Sequence, residues 1–239
     1  MKRFFSTLVM AFVAVSIMLA GETYALITGV SSYADPSSNA HQTTNDAKNF
    51  QKIMKNFTKN ITLLTSKNAT TDATLAKLRA FAAGTKADDR IVFFYSGHGE
   101  PNGIYMHNGK TLDYKTILQT LAKSKAKEKI LVVHCCHAAS IKKAMDETGI
   151  NDVVVFASSR ADEYTIEDLL LGGGYFTRSL EKALMGKADS DGDKKVTVKE
   201  AFQYVHKDVT HRTGDRQHPV LYAPKAAADL VLVDWNKKQ

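Results

Sequence analysis

Ile91-Val92-Phe93-Phe94-Tyr95-Ser96-Gly97-His98-Gly99 is an apolar run that ends in a glycine-flanked histidine. Ile130-Leu131-Val132-Val133-His134-Cys135-Cys136-His137-Ala138-Ala139 is a second such run, ending in a cysteine followed by small residues. Short continuous runs rich in β-branched and aromatic residues read as strands buried on both faces, the kind found in parallel sheets. Further strands are predicted at 24–30, 61–65 and 152–157, with late pieces near 220–222 and 230–233. The two quoted runs supply strands over 90–95 and 129–135. Segments of helical period separate them, at 46–57, 71–83, 113–123, 141–147, 175–186 and 198–211. In the first, Phe50, Ile53, Met54 and Phe57 share a face, with Asn45 as the expected N-cap. This alternation predicts an α/β fold, a parallel sheet covered by helices.

In such a sheet, ligands and reactive groups gather outside the carboxyl ends of the strands. If the two quoted strands are neighbours, His98 and Cys136 face each other across that edge. Imidazole titrates near neutrality and can take a thiol proton, and a thiolate is a good nucleophile. The glycines beside His98 allow a substrate backbone close approach, and the Gly99 and Cys136 amides are candidate oxyanion donors.

Composition agrees with one exported globular domain. The chain has 239 residues, 44% hydrophobic, with only 14 Gly and 4 Pro, enough for a substantial core. Lys2 and Arg3, an apolar run from Phe4 to Ala20 and a polar switch at Gly21-Glu22-Thr23 have the layout of a secretory signal peptide over 1–20. That leaves 21–239 as the mature domain, periplasmic or extracellular. Cleavage after Ala25 is the alternative site, and an uncleaved anchor the alternative reading; with cleavage no stable membrane span remains. Net charge is +7, falling to about +5 without Lys2 and Arg3, and it is spread along the chain. No basic block interleaved with aromatics stands out, which argues against nucleic acid as a partner. The only two cysteines are adjacent, so a bridge between them staples nothing and needs a strained ring. Three Asn-x-Thr sequons, at Asn56, Asn60 and Asn68, matter only in a eukaryotic secretory pathway.

The ordered landmarks resemble the clan that includes caspases, metacaspases and legumain-type peptidases. They are the strand Tyr24 to Val30, Asn45-Asp46-Ala47, Tyr95 to Gly99, Cys136 to Ala139, Ala157 to Glu163 and the helix start Gly174-Tyr175-Phe176-Thr177. The resemblance spans nearly everything after the leader. It implies a three-layer α/β/α fold on a mostly parallel sheet of about six strands. It also implies a cysteine endopeptidase acting on protein or peptide substrates through a His98–Cys136 dyad, with no cofactor required for catalysis. The family turn favours Cys136 over Cys135 as nucleophile, and Cys135 then points into packing. A metacaspase carries an acid two residues before its nucleophile; here that position is His134. Asp46 matches the other family acid and Ser96 a polar pocket residue, so the implied substrate-binding set is Asp46, Ser96 and His134. Asp46 reads equally as a helix-start acid. A zinc site on His134 to His137 is disfavoured, because neighbours on a strand alternate sides. The competing class is an inactive caspase-like binding or adaptor module, stabilised by calcium.

A calcium loop is legible at 189–200. Asp189, Asp191 and Asp193 occupy positions 1, 3 and 5 of the EF-hand spacing, Val196 position 8 and Glu200 position 12. The expected ligands are these four carboxylates, the Lys195 carbonyl and Thr197. Lys194 stands where the sharp turn wants glycine. The alternative is a solvated acidic turn between helices.

Overall fold

The computed structural model describes residues 21–168 and 172–237, so the expected signal peptide lies outside the described residues. Six strands form the main sheet: β1 (Thr23–Gly29), β2 (Asn60–Thr65), β3 (Arg90–Ser96), β4 (Glu128–His134), β5 (Val154–Ala157) and β6 (Val220–Tyr222). Their order is β6-β5-β4-β3-β1-β2. All neighbours run parallel except β6, which is antiparallel to β5. Helices α1 (Thr43–Met54), α2 (Thr71–Gly84), α3 (Tyr114–Ala122), α4 (Ile141–Thr148), α5 (Tyr175–Lys182) and α6 (Val198–Arg212) cover both faces.

Alternation along the strands builds two cores. In β3, Phe93 and Tyr95 pack with Leu78 of α2, Ile117 of α3 and Met145 of α4. Val92 and Phe94 face the other way, toward Phe50 of α1, Leu180 of α5 and Val205 of α6. Phe50 and Phe94 stack with ring centroids 4.4 Å apart. Burial of each such side chain contributes about 1.5–3 kcal/mol, which is why the central strands are apolar on both sides. This is the expected three-layer arrangement. It also sets the site: β3 and β4 pair in register with Ser96 opposite His134, so the chains leaving their carboxyl ends start side by side.

Several boundaries differ from expectation. Helix α1 starts at Thr43 and its N-cap is Gln42, not Asn45. The Thr43 hydroxyl donates to Val30 O (2.6 Å) and Thr44 N–H to Ser31 Oγ (2.9 Å), so contacts with the β1 exit wind the helix back one turn. Helix α5 ends at Lys182 and continues as a wider turn, Ala183–Lys187, in which Gly186 has φ 97°. The late strand, Val231–Asp234, does not join the main sheet; it pairs antiparallel with Lys195–Thr197. Arg90 draws it there by donating to the Val231 and Leu232 carbonyls. Among the described residues, no helix is long and apolar enough to cross a membrane.

Candidate active site

His98 follows β3 by two residues, and its main chain is clamped by tyrosines. Its N–H donates to Tyr33 Oη (2.8 Å), and its carbonyl accepts from the Tyr95 hydroxyl (2.8 Å). The imidazole lies against the Tyr33 ring at 5.0 Å, and its Nε2 is 2.8 Å from Ser38 O. A carbonyl only accepts, so its partner assigns the proton to Nε2 and leaves Nδ1 with the lone pair. Ser38 was not foreseen from the sequence. Its signal is turn chemistry: the Asp35 carboxylate caps the turn Pro36–Ser38 by accepting from Ser37 N–H (2.9 Å).

The glycines around His98 are required by the chain's own packing, and Gly97 also lines the cleft described below. An added Cβ at Gly97 would lie 2.3 Å from Tyr95 Oη. At Gly99 it would lie 2.3 Å from Cys135 Sγ and 2.5 Å from Cys136 O. Gly99 therefore lets the histidine loop close on the cysteine segment.

The run 134–137 sends its four side chains to four places. His134 Nδ1 lies 2.6 Å from Thr177 Oγ1 and 3.2 Å from Asp46 Oδ2. Cys135 is fully buried, with Sγ 3.6 Å from Tyr114 Oη, and burial pushes its thiol up to about 12. Cys136 is half-buried in the cleft, and both thiols are free. His137 takes the left-handed conformation, φ 58° and ψ 24°, with Nδ1 2.9 Å from Ala161 O. A non-glycine residue held there marks a turn fixed by its surroundings.

His98 and Cys136 line one cleft of about 330 Å³, together with His41, Thr43, Thr165 and Glu167. Burial raises the Cys136 thiol, and the Glu167 charge adds to this; the Thr165 and Cys136 backbone N–H groups act the other way. The resting thiol is therefore protonated, and a base must remove its proton before attack. Nδ1 of His98 is a nitrogen able to do so.

Asp46, Ser96 and His134 do come together, but under the cleft and not as an open pocket. Asp46 is 1% exposed, Ser96 0% and His134 2%. Asp46 Oδ2 accepts from Ser96 Oγ (2.8 Å) and faces His134, while Oδ1 accepts from Gly174 N–H (3.1 Å). The carboxylate is spent on its neighbours, and of the three only His134 reaches the cleft wall. Gly174 is required by this packing, because an added Cβ would lie 1.8 Å from His134 Cε1.

Residues 22–231 match the family model for the caspase domain of peptidases. The chain belongs to the caspase-domain family. The crystal structure of protein GSU0716 from Geobacter sulfurreducens is similar in fold. Its TM-score is 0.65 at 16% identity, and the match covers 89% of this chain and 98% of that one. No curated protein sequence matches significantly.

Beside the buried Asp46, this caspase domain holds a second carboxylate on α5. Burial, then the Asp46 charge, raise Glu181 to about 7. A raised pKa means the fold favours the protonated form, so this stabilisation is complete below the ordinary carboxylate range and is lost as pH rises through about 7. Glu181→Gln is expected to raise the melting temperature at pH 8 and to have little effect at pH 5. Thermal unfolding followed by circular dichroism at both pH values checks this.

The acidic loop 189–200 forms as a compact turn. Carboxylate oxygens of Asp189, Asp191 and Asp193 lie within 4.8 Å of one another. Lys194 adopts φ 66°, the conformation the EF-hand glycine supplies, and Lys195–Thr197 forms a short strand. Several donor atoms are already engaged: Asp189 accepts from Gly192 and Lys194 N–H, and Glu200 forms a capping box with Thr197. Burial alone would raise Glu200, but the backbone N–H and hydroxyl donors of Thr197 and Ser190 together outweigh it and hold the carboxyl down at about 2. The three aspartates and Lys194 thus fit a cation loop, whereas Glu200 would have to leave its cap.

Proposed function

We propose that this caspase domain is an exported cysteine endopeptidase in which His98 is the base and Cys136 the nucleophile. The observation that carries the reading is their shared cleft at the carboxyl ends of two paired strands, with His98 Nε2 bound to Ser38 O. In the reaction, His98 Nδ1 takes the Cys136 proton and the thiolate attacks the scissile carbonyl. The Cys136 and Gly99 amides are the candidate donors to the oxyanion. Collapse of the tetrahedral species passes the proton from Nδ1 to the leaving amine and leaves a thioester. Water, deprotonated by His98, then releases the acid and restores the thiol. The Ser38 carbonyl steadies the imidazolium formed in both steps.

Because the Asp46 carboxylate is buried and spent on Ser96 and Gly174, and His134 stands where a second acid would be, the site lacks the paired acids that select a basic side chain. Profiling the purified chain against a peptide library, with reductant and calcium varied, tests the activity and its preference together. Cleavage should depend on reductant and should not centre on Arg or Lys before the cut; absence of hydrolysis under all conditions contradicts the proposal.

Calcium is the second part of this reading, supported by the clustered aspartates and the left-handed Lys194. Millimolar calcium is expected to raise the melting temperature by a few degrees, and chelator to reverse it. Lys194→Gly removes both the strained conformation and a positive charge, adding about 1 kcal/mol and tightening calcium. Calorimetric scans insensitive to calcium in both proteins would remove the calcium site.

A further inference from the structure

The segment 158–167 lies over the cysteine turn and is tied to it. His137 N–H donates to Glu163 O (2.9 Å), and Ala139 N–H to Ser159 O (3.1 Å). Thr165 and Glu167 line the cleft beside Cys136, and Thr165 N–H favours the thiolate. The far side is held by residues just before β6. The Glu163 carboxylate accepts from His218 N–H (2.8 Å), His218 Nδ1 (2.6 Å) and Arg160 N–H (3.1 Å). Fully buried Gln217 accepts from Ile166 N–H (2.9 Å) and donates to Ser158 O (2.7 Å). Glu163 thus links both sides: its carbonyl holds the residue after Cys136, and its carboxylate holds His218.

The two nitrogens of His218 both face carboxylate oxygens, Glu163 Oε1 at 2.6 Å and Asp215 Oδ1 at 3.0 Å. Carboxylates only accept, so the geometry suits an imidazolium donating from both nitrogens. The other facing groups are Arg160, whose Nη1 is 3.6 Å from Glu163 Oε1, and His206, with its ring centroid 6.4 Å away. Burial and Arg160 disfavour the charged ring, but the Glu163 and Asp215 contacts prevail and His218 is raised.

We propose that Glu163 and His218 are positioning residues, a buckle that seats segment 163–167 against Cys136 and opens as His218 loses its proton. This rests on Cys136 being the reactive thiol, not on peptide hydrolysis itself. Because His218 is raised, the buckle is fully closed below the ordinary imidazole range and is lost as pH rises through the raised value. With the buckle open, the Glu163 carbonyl slackens its hold on His137 N–H and Thr165 recedes from the cleft wall, so the thiolate loses the favourable influence of the Thr165 backbone.

The test is the pH profile of iodoacetamide alkylation, mapped to Cys136 by mass spectrometry in the full chain. Glu163→Gln and His218→Gln should each slow alkylation at neutral pH by about three- to tenfold, through a higher apparent thiol pKa. Profiles that overlay the wild type while the melting temperature falls would make the pair merely structural and overturn the proposal. The wild-type chain gives a readout that needs no variant. Limited proteolysis within 158–167 should accelerate as pH rises from 6 to about 8.5, and a rate that merely follows the protease's own pH dependence on an unstructured peptide would contradict the buckle. Failure of peptide hydrolysis leaves both readouts intact, so the two proposals fail separately.

Discussion

Cys136→Ala is expected to reduce peptide hydrolysis by on the order of 10⁴ to 10⁶ while leaving the melting temperature nearly unchanged. The side chain is half-buried at the cleft wall, so truncation removes the nucleophile but little packing. Cys135→Ala is expected to do the reverse. Cys135 is fully enclosed, touches Tyr114 and supports Gly99, so its loss should cost about 1–2 kcal/mol with activity per folded molecule largely kept. Rate assays paired with thermal melts of both variants check this. An inactive Cys135→Ala beside an active Cys136→Ala would exchange the two roles.

Asp46→Ala should lower stability by about 3–5 kcal/mol. The carboxylate is 1% exposed, accepts from Ser96 Oγ and Gly174 N–H and faces His134, so removing it strands two polar groups in the interior and leaves a cavity beside a third. Asp46→Asn keeps one acceptor and should cost less, about 1–2 kcal/mol. Urea unfolding of the three proteins measures the series. If Asp46 served chiefly to hold a substrate cation, the alanine variant would stay within about 1 kcal/mol of wild type and change cleavage preference instead.

The sheet was legible because its central strands are apolar on both faces, a pattern that 91–95 and 130–133 display without interruption. The pairing of β3 with β4 followed from strand order, and it put His98 and Cys136 in one cleft as expected. The Ser38 carbonyl was missed because Asp35-Pro36-Ser37-Ser38 announces a turn but not that the turn aims a backbone acceptor at His98. The fate of Asp46 was equally hidden: its partners lie on β3, β4 and near α5, and only the fold brings Ser96, His134 and Gly174 around it. The start of α1 was misplaced for a similar reason, since Thr43 and Thr44 are recruited by Val30 and Ser31 across the sheet edge. The Glu163–His218 link joins positions 55 residues apart, beyond any local pattern.

The most direct test is to trap the reactive thiol with a peptidyl chloromethyl ketone chosen from the library profile and to map the adduct by mass spectrometry. The adduct should appear on Cys136 alone and should form far more slowly when His98 is replaced by alanine. An adduct on Cys135, or an undiminished rate without His98, would contradict the dyad.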